Sequence, residues 1–203
     1  MRIALFTDTF DETNGVARTY QYLVQYAART GLALHVYTYG PRTCQEHYGS
    51  VTIFRKRRRV PVHYYWDLSY DIAPNLDIRR EFASHHYDVV HVATPASLGL
   101  CGLRLACRAG LPTVGVFHTA VPDYLELRVR LMKRGWGRVA WRAMRWFYDQ
   151  MDLVLVPSNC VARRLRSVLS VPVDVWHHGV DAGAFYPDPP REDGRVRLLY
   201  VGR

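Results

Sequence analysis

Short apolar runs recur along the chain, and stretches of about a dozen residues with helical spacing separate most of them; this alternation narrows the fold to one class. RIALFT (2–7), LALHVYTY (32–39), VTIF (51–54), YDVVHVATP (87–95), PTVGVFHT (112–119), DLVLVPS (152–158) and PVDVWHHGV (172–180) read as strands. Helices are expected over 16–29, 76–85, 96–109, 122–149 in two pieces with the break at Gly135 and Gly137, and 159–169 behind a Ser158 cap. Residues 55–75 read as irregular, and VRLLYVG (196–202) as a further strand. Apolar strands that alternate with helices belong in a parallel sheet covered on both faces, because each crossover lays a helix on the sheet. The expectation is an α/β fold: a Rossmann-like parallel sheet with helices on both faces. Ligands of such sheets bind at the carboxyl ends of the strands.

Composition removes other classes. The 203 residues are 49% apolar and 22% charged, the balance of a globular chain. No run of about 18 apolar residues exists; the richest stretch, Leu98 to Leu111, is broken by Arg104 and Arg108. The first ten residues reach Asp8 too soon for a signal peptide. Cys44, Cys101, Cys107 and Cys160 form no CxxC pair and have no His cluster at metal spacing, so reduced thiols, no zinc and a cytoplasmic location are expected. Lys and Arg number 27 against 18 Asp and Glu, a net charge of +9 that suits phosphorylated small molecules, an anionic membrane surface or nucleic acid.

Four segments carry candidate chemistry. In the loop before the first helix, Asn14-Gly15-Val16 reads either as a capped turn or as a helix N-terminus whose free amides and dipole accept an anion. GxGxxG is absent, which counts against a dinucleotide cofactor. His118, with Thr119, sits at a carboxyl strand end, either as a hydrogen-bonded structural histidine or as a site residue. Arg134, Arg138, Arg142 and Arg145 are spaced four, four and three, so they share a helix face, with Val139, Trp146 and Phe147 elsewhere on the helix. That pattern reads as an interfacial membrane helix or as a solvated basic face over core aromatics. The run Arg55-Lys56-Arg57-Arg58-Arg59 would add to that surface or contact nucleic acid phosphate.

The order of segments resembles the retaining GT-B glycosyltransferases of the family 4 type, the branch with mannosyl-, glucosyl- and sulfoquinovosyltransferases. The matching residues are DTFDETNGVARTYQYL (8–23), FHTAVPDY (117–124), VPSNCVARRL (156–165), HGVDAGAFYP (178–187) and LLYVGR (198–203). The resemblance implies that the chain is the N-terminal half of a GT-B fold. Residues 1–176 would form the acceptor-side domain and 177–195 an interdomain linker, and 196–203 would open a donor-binding domain that the chain does not contain. It implies a nucleotide sugar as donor substrate (GDP-mannose or a UDP-hexose), no cofactor and no metal, and a lipid or glycan acceptor. His118 would lie beside the transferred sugar. Asn14, Gly15 and Val16 would lie against donor phosphates or acceptor, Thr119, Asp123 and Tyr124 in the acceptor-side loop, and Arg203 on the diphosphate. The family's Pro in the first loop is missing, and His178 stands where the family often has Arg or Asn. With the basic helix, a peripheral place at the inner face of the cell membrane is expected, and nucleic acid falls to the least favoured partner. The rivals are a stand-alone basic α/β binding module and a nucleotide-sugar epimerase of the same architecture.

Overall fold

The computed structural model describes residues 1–57, 61–65, 68–71, 76–118, 136–180, 183, 185, 196 and 198–200. In chain order the elements are β1 (Arg2–Phe6), α1 (Gly15–Thr30), β2 (Ala33–Gly40), β3 (Cys44–Tyr48), β4 (Val51–Arg57), β5 (Pro61–Tyr65), β6 (Leu68–Asp71), α2 (Leu76–Ala83), β7 (Val89–Val92), α3 (Ser97–Ala109), β8 (Thr113–Val116), α4 (Trp136–Tyr148), β9 (Leu153–Val156), α5 (Asn159–Arg166) and β10 (Val173–Val175). Eight strands form one sheet in the order β10-β9-β8-β7-β1-β2-β4-β3. Every neighbouring pair is parallel except β3, which runs antiparallel to β4. The expected α/β, Rossmann-like architecture is what the chain adopts.

The period of two along each strand sorts the core into two layers. Leu5, Leu34, Val36, Val51 and Ile53 face α1, which presents Tyr20, Val24 and Ala27. Ala4, Phe6, Tyr37, Val90, Val92, Val154 and Val156 face the opposite side, covered by Ile78 and Phe82 of α2, Leu98 and Ala106 of α3, Phe147 of α4 and Leu165 of α5. With both faces covered, the strands need apolar residues at successive positions, and that is why they stood out in the sequence. Stacked rings tie the second layer: Phe6 on Tyr37 at 4.7 Å and Tyr37 on Phe54 at 4.9 Å. Helix α3 lies so close to β1 that a Cβ at Gly102 would fall 2.5 Å from Cγ of Phe6.

Helix ends follow local chemistry. Asn14 Oδ1 accepts from Ala17 N at 2.9 Å at the start of α1, and Gly31, in the left-handed region at φ 73°, ends it. Ser158 caps α5, accepting from Val161 N. Ala96, before α3, makes no side-chain cap, and the missing acceptor is the Asp8 carboxylate, from the loop after β1.

Several sequence expectations need correction. Within the stretch expected to be irregular, 55–75, β4 continues to Arg57, and β5 pairs with β6 as an antiparallel hairpin. β3 has no apolar alternation, and it forms because it lies on the exposed edge against β4, where polar side chains suffice. α4 begins at Trp136, between the two glycines where the break was expected, and Gly135 and the segment expected as the preceding helical piece lie outside the described residues. Val196 and residues 198–200 are in no strand, and Leu198 is 97% exposed: apolar residues with no neighbouring strand have no ladder to join.

The chain winds away from β1 in one direction through β2 and β4 and in the other through β7, β8, β9 and β10. The order therefore switches between β1 and β7, and the loops leaving these strands diverge to leave a crevice.

Candidate functional site

A cleft of about 740 Å³ opens at that crevice, lined among others by Thr9, Asn14, Gly15, Val16, Thr94, His118, Tyr148 and His178. Its walls are the β1–α1 loop, the β7–α3 loop, the end of β8 and the segment after β10.

Asp8 builds the floor without lining the cleft. It is fully buried, and its carboxylate accepts from the Thr94 hydroxyl at 2.7 Å, the Ser97 hydroxyl at 2.8 Å, Leu98 N at 3.0 Å and Gly99 N at 3.4 Å. A carboxylate from the loop just after β1 thus caps α3, where the dipole favours negative charge. Burial raises its pKa above the usual carboxylate value, and the four donors pull it back. This residue fixes the β7–α3 loop against the β1–α1 loop. Sequence reasoning missed the role, and the available signal was an acid at the end of an apolar strand.

The β1–α1 loop is held from two sides, by α1 and by β4. Gln21 Nε2 donates to the Phe10 carbonyl at 2.7 Å. Arg55 pairs with Asp11 and, at 2.9 Å, with Glu46, and its guanidinium lies 5.5 Å from the Phe10 ring centroid. So Arg55 is a structural cation, and Lys56 is buried. Neither belongs to the basic surface expected from 55–59, and Arg58 and Arg59 lie outside the described residues.

The loop delivers Gly15 as the first residue of α1. The amides of Gly15 and Val16 have no hydrogen-bond partner among the described residues. Gly15 does not have a positive φ, and a Cβ there would meet nothing within 4 Å. Neither backbone strain nor packing demands glycine at this position. What its missing side chain leaves is open cleft above two free amides at a helix N-terminus, the geometry that receives an anion or a polar ligand. Both readings of Asn14-Gly15 hold at once: Asn14 caps, and Gly15 leaves the approach clear.

His118 faces Gly15 from the other wall. Its Nε2 is 2.9 Å from the Tyr20 hydroxyl, which is also 3.2 Å from Nε2 of His91. His118 stacks on His178 at 5.3 Å between ring centroids, and His178 Nδ1 lies 3.2 Å from Thr19 Oγ1. Burial, with smaller contributions from His178 and His91, holds the His118 pKa at about 3, and burial holds His91 at about 4. His118 is therefore neutral near pH 7: it can hydrogen-bond a hydroxyl but offers no cation. Tyr20, His91 and His178 were not singled out from the sequence as site residues; the first two sit at ordinary helical and strand positions, and only the fold brings them together.

Among the expected membrane-facing residues, Arg138, Arg142 and Arg145 are exposed on α4 beside Trp146, which is 57% exposed, and Val139, 58% exposed. Arg145 is tied to Asp149 at 3.0 Å and donates to Ser170, so its charge is partly compensated. Arg164 of α5 joins this surface, its guanidinium 4.7 Å from the Trp141 ring centroid. Arg134, Thr119, Asp123, Tyr124 and Arg203 lie outside the described residues. No helix among the described residues is long and apolar enough to cross a membrane. No group of three His, Cys, Asp or Glu among them is placed to hold a metal ion.

The family model for Glycosyltransferase Family 4 matches residues 13–183. A GDP-mannose-dependent alpha-mannosyltransferase of Mycobacterium tuberculosis is 29% identical over 217 aligned positions, which take in 100% of this chain and 56% of the relative. An alpha-monoglucosyldiacylglycerol synthase of Streptococcus pneumoniae is 29% identical over 178, with 86% of this chain and 39% of the relative covered. The chain thus spans about half of the one and less of the other. Among solved structures, the Anabaena protein HepE, determined in complex with UDP and glucose, superposes with a TM-score of 0.55 at 14% identity, covering 93% of this chain and 47% of that one.

Proposed function

The chain belongs to glycosyltransferase family 4, and from that premise we propose that it forms the acceptor-side wall of a cleft in which a hexose passes from a nucleotide sugar to a membrane lipid. The observation that carries this reading is the pairing across one cleft of Gly15, with its free helix-terminal amides, and neutral, half-buried His118. The amides suit a phosphate or an acceptor hydroxyl, and His118 suits a sugar hydroxyl, which is neutral and wants a neutral hydrogen-bonding partner. GDP-mannose and a UDP-hexose are the leading donors, consistent with the mannosyltransferase named above. A lipid acceptor is consistent with the diacylglycerol product in the name of the streptococcal relative. The second wall, which would hold the nucleotide, belongs to a donor-side domain that the linker after Trp176 would lead into. Transfer would retain anomeric configuration and use no metal or cofactor, with Arg203 compensating diphosphate charge. Thr119, Asp123 and Tyr124 would complete the acceptor side.

In a protein carrying both domains, His118→Ala should lower kcat/KM for transfer on the order of 100-fold, the usual cost of one preorganised contact in a water-poor site. Unchanged transfer would remove His118 from the site.

The exposed Arg138, Arg142, Val139 and Trp146 favour docking of α4 on an anionic bilayer at the inner face of the cell membrane. Each basic residue near such a surface contributes about 1 kcal/mol, so Arg138→Gln with Arg142→Gln should weaken binding to anionic vesicles about 30-fold. Arg145, already paired with Asp149, should contribute less.

A further inference from the structure

Of the aromatic cluster at the cleft, only the His118 ring meets substrate in the proposed transfer. Behind that ring, Tyr20 is fully buried, and its single hydroxyl faces two ring nitrogens, Nε2 of His118 at 2.9 Å and Nε2 of His91 at 3.2 Å. Both imidazoles meet the Tyr20 ring edge-on, with centroids 5.5 and 5.6 Å away, so neither is placed to turn its other nitrogen to the hydroxyl without repacking. A hydroxyl has one proton to donate. Between two neutral imidazoles it donates to one Nε2 and accepts an N–H from the other. The two histidines must therefore carry their protons on different ring nitrogens. Low pKa values, about 3 for His118 and about 4 for His91, keep both rings neutral near pH 7, the state in which this constraint applies.

The other side of His118 is also fixed. Thr19 Oγ1 donates its only proton to the Gly15 carbonyl at 2.9 Å. Toward His178 it can only accept, so His178 Nδ1 carries the proton and its Nε2 is an acceptor. His178 stacks on His118 with ring planes 22° apart, which holds the His118 ring against rotation out of the Tyr20 bond.

We propose that His91, through the Tyr20 hydroxyl, is a positioning residue that locks one neutral tautomer of His118 and so decides whether Nδ1 of His118 presents a proton or a lone pair. His91 does not line the cleft, and its influence reaches the ligand only through that bridge. That Nδ1 meets a sugar hydroxyl rests on the proposed function; the tautomer lock does not.

The test is long-range proton–nitrogen NMR of the imidazoles in the 203-residue chain at pH 7. The expected spectrum shows His91 and His118 in opposite neutral tautomers, each a single form, and His178 with Nδ1 protonated. Tyr20→Phe should release both rings into tautomer mixtures. His91→Phe should leave Tyr20 free to donate to His118 and drive that ring fully to the Nδ1–H form. The proposal is overturned if His91 and His118 share a tautomer in the wild type, or if the His118 pattern is unchanged in Tyr20→Phe with a native amide spectrum. Should Tyr20→Phe fail to fold, the wild-type spectrum decides alone. Locked tautomers combined with unimpaired sugar transfer by His118→Ala would remove the sugar contact and leave the lock standing.

Discussion

Truncating Asp8 to alanine isolates what joins the two loops of the cleft. Four donors converge on the carboxylate, all at 3.4 Å or less. In Asp8→Ala the Thr94 and Ser97 hydroxyls can rotate toward other acceptors, but the amides of Leu98 and Gly99 are fixed by α3 and buried. Each amide left unpaired costs about 1–3 kcal/mol, about 2–6 kcal/mol for the two. Part of this is offset because a desolvated carboxylate, the cause of the raised pKa, is no longer buried. A net loss of about 2–4 kcal/mol remains. Asp8→Asn keeps one acceptor oxygen of the same shape and should lose about half as much. Urea unfolding followed by circular dichroism and by tryptophan fluorescence gives both values. If Asp8→Ala unfolds within about 0.5 kcal/mol of the wild type, the range of neutral surface substitutions, the capping role is wrong.

Other perturbations follow from the same geometry. A methyl at Gly99 would run into the Thr94 carbonyl oxygen, which is backbone and cannot rotate aside; Gly99→Ala should cost about 2 kcal/mol or more in the same unfolding assay. His35, His91 and His118 have folded pKa values of about 4, 4 and 3, below the unfolded value of 6.5. The unfolded chain therefore binds more protons in that window. Stability should be full above pH 6.5 and fall as pH drops toward 4, by up to about 1.4 kcal/mol per pH unit for each histidine, with Asp8 opposing the trend at the acid end; a flat profile from pH 7 to 4.5 would contradict the burial of these rings. Arg55→Gln should change stability by less than about 1 kcal/mol, because its acidic partners are partly solvated, yet should speed hydrogen exchange at the amides of residues 11–13 measurably.

The parallel sheet was legible because both of its faces are buried, so RIALF and ALHVYTYG announce themselves as apolar runs. Edge elements were not. CQEHY pairs through its backbone and needs no apolar signal, and the hairpin of PVHYY and LSYD was hidden behind a basic run. At the site, Asn14, Gly15 and His118 were readable from their places at a helix start and a strand end. Tyr20 and His91 were not, because Tyr20 lies on the apolar stripe of α1 and His91 interrupts VVHV as any half-buried residue would. Their meaning depends on 71 and 98 residues of sequence separation closed by the sheet. Arg55 was misread for the same reason: its partners Asp11 and Glu46 come from other elements.

The most direct test of the proposed acceptor-side cleft fills a cleft position, Gly15, where neither packing nor backbone conformation calls for glycine. Gly15→Val in a protein carrying both domains should unfold within about 1 kcal/mol of the wild type, because its side chain meets open space. Its transfer of labelled hexose from GDP-mannose or UDP-glucose to lipid vesicles should fall on the order of 100-fold, because the branched side chain covers the free amides of α1. Wild-type transfer by a correctly folded Gly15→Val would contradict the assignment of this cleft.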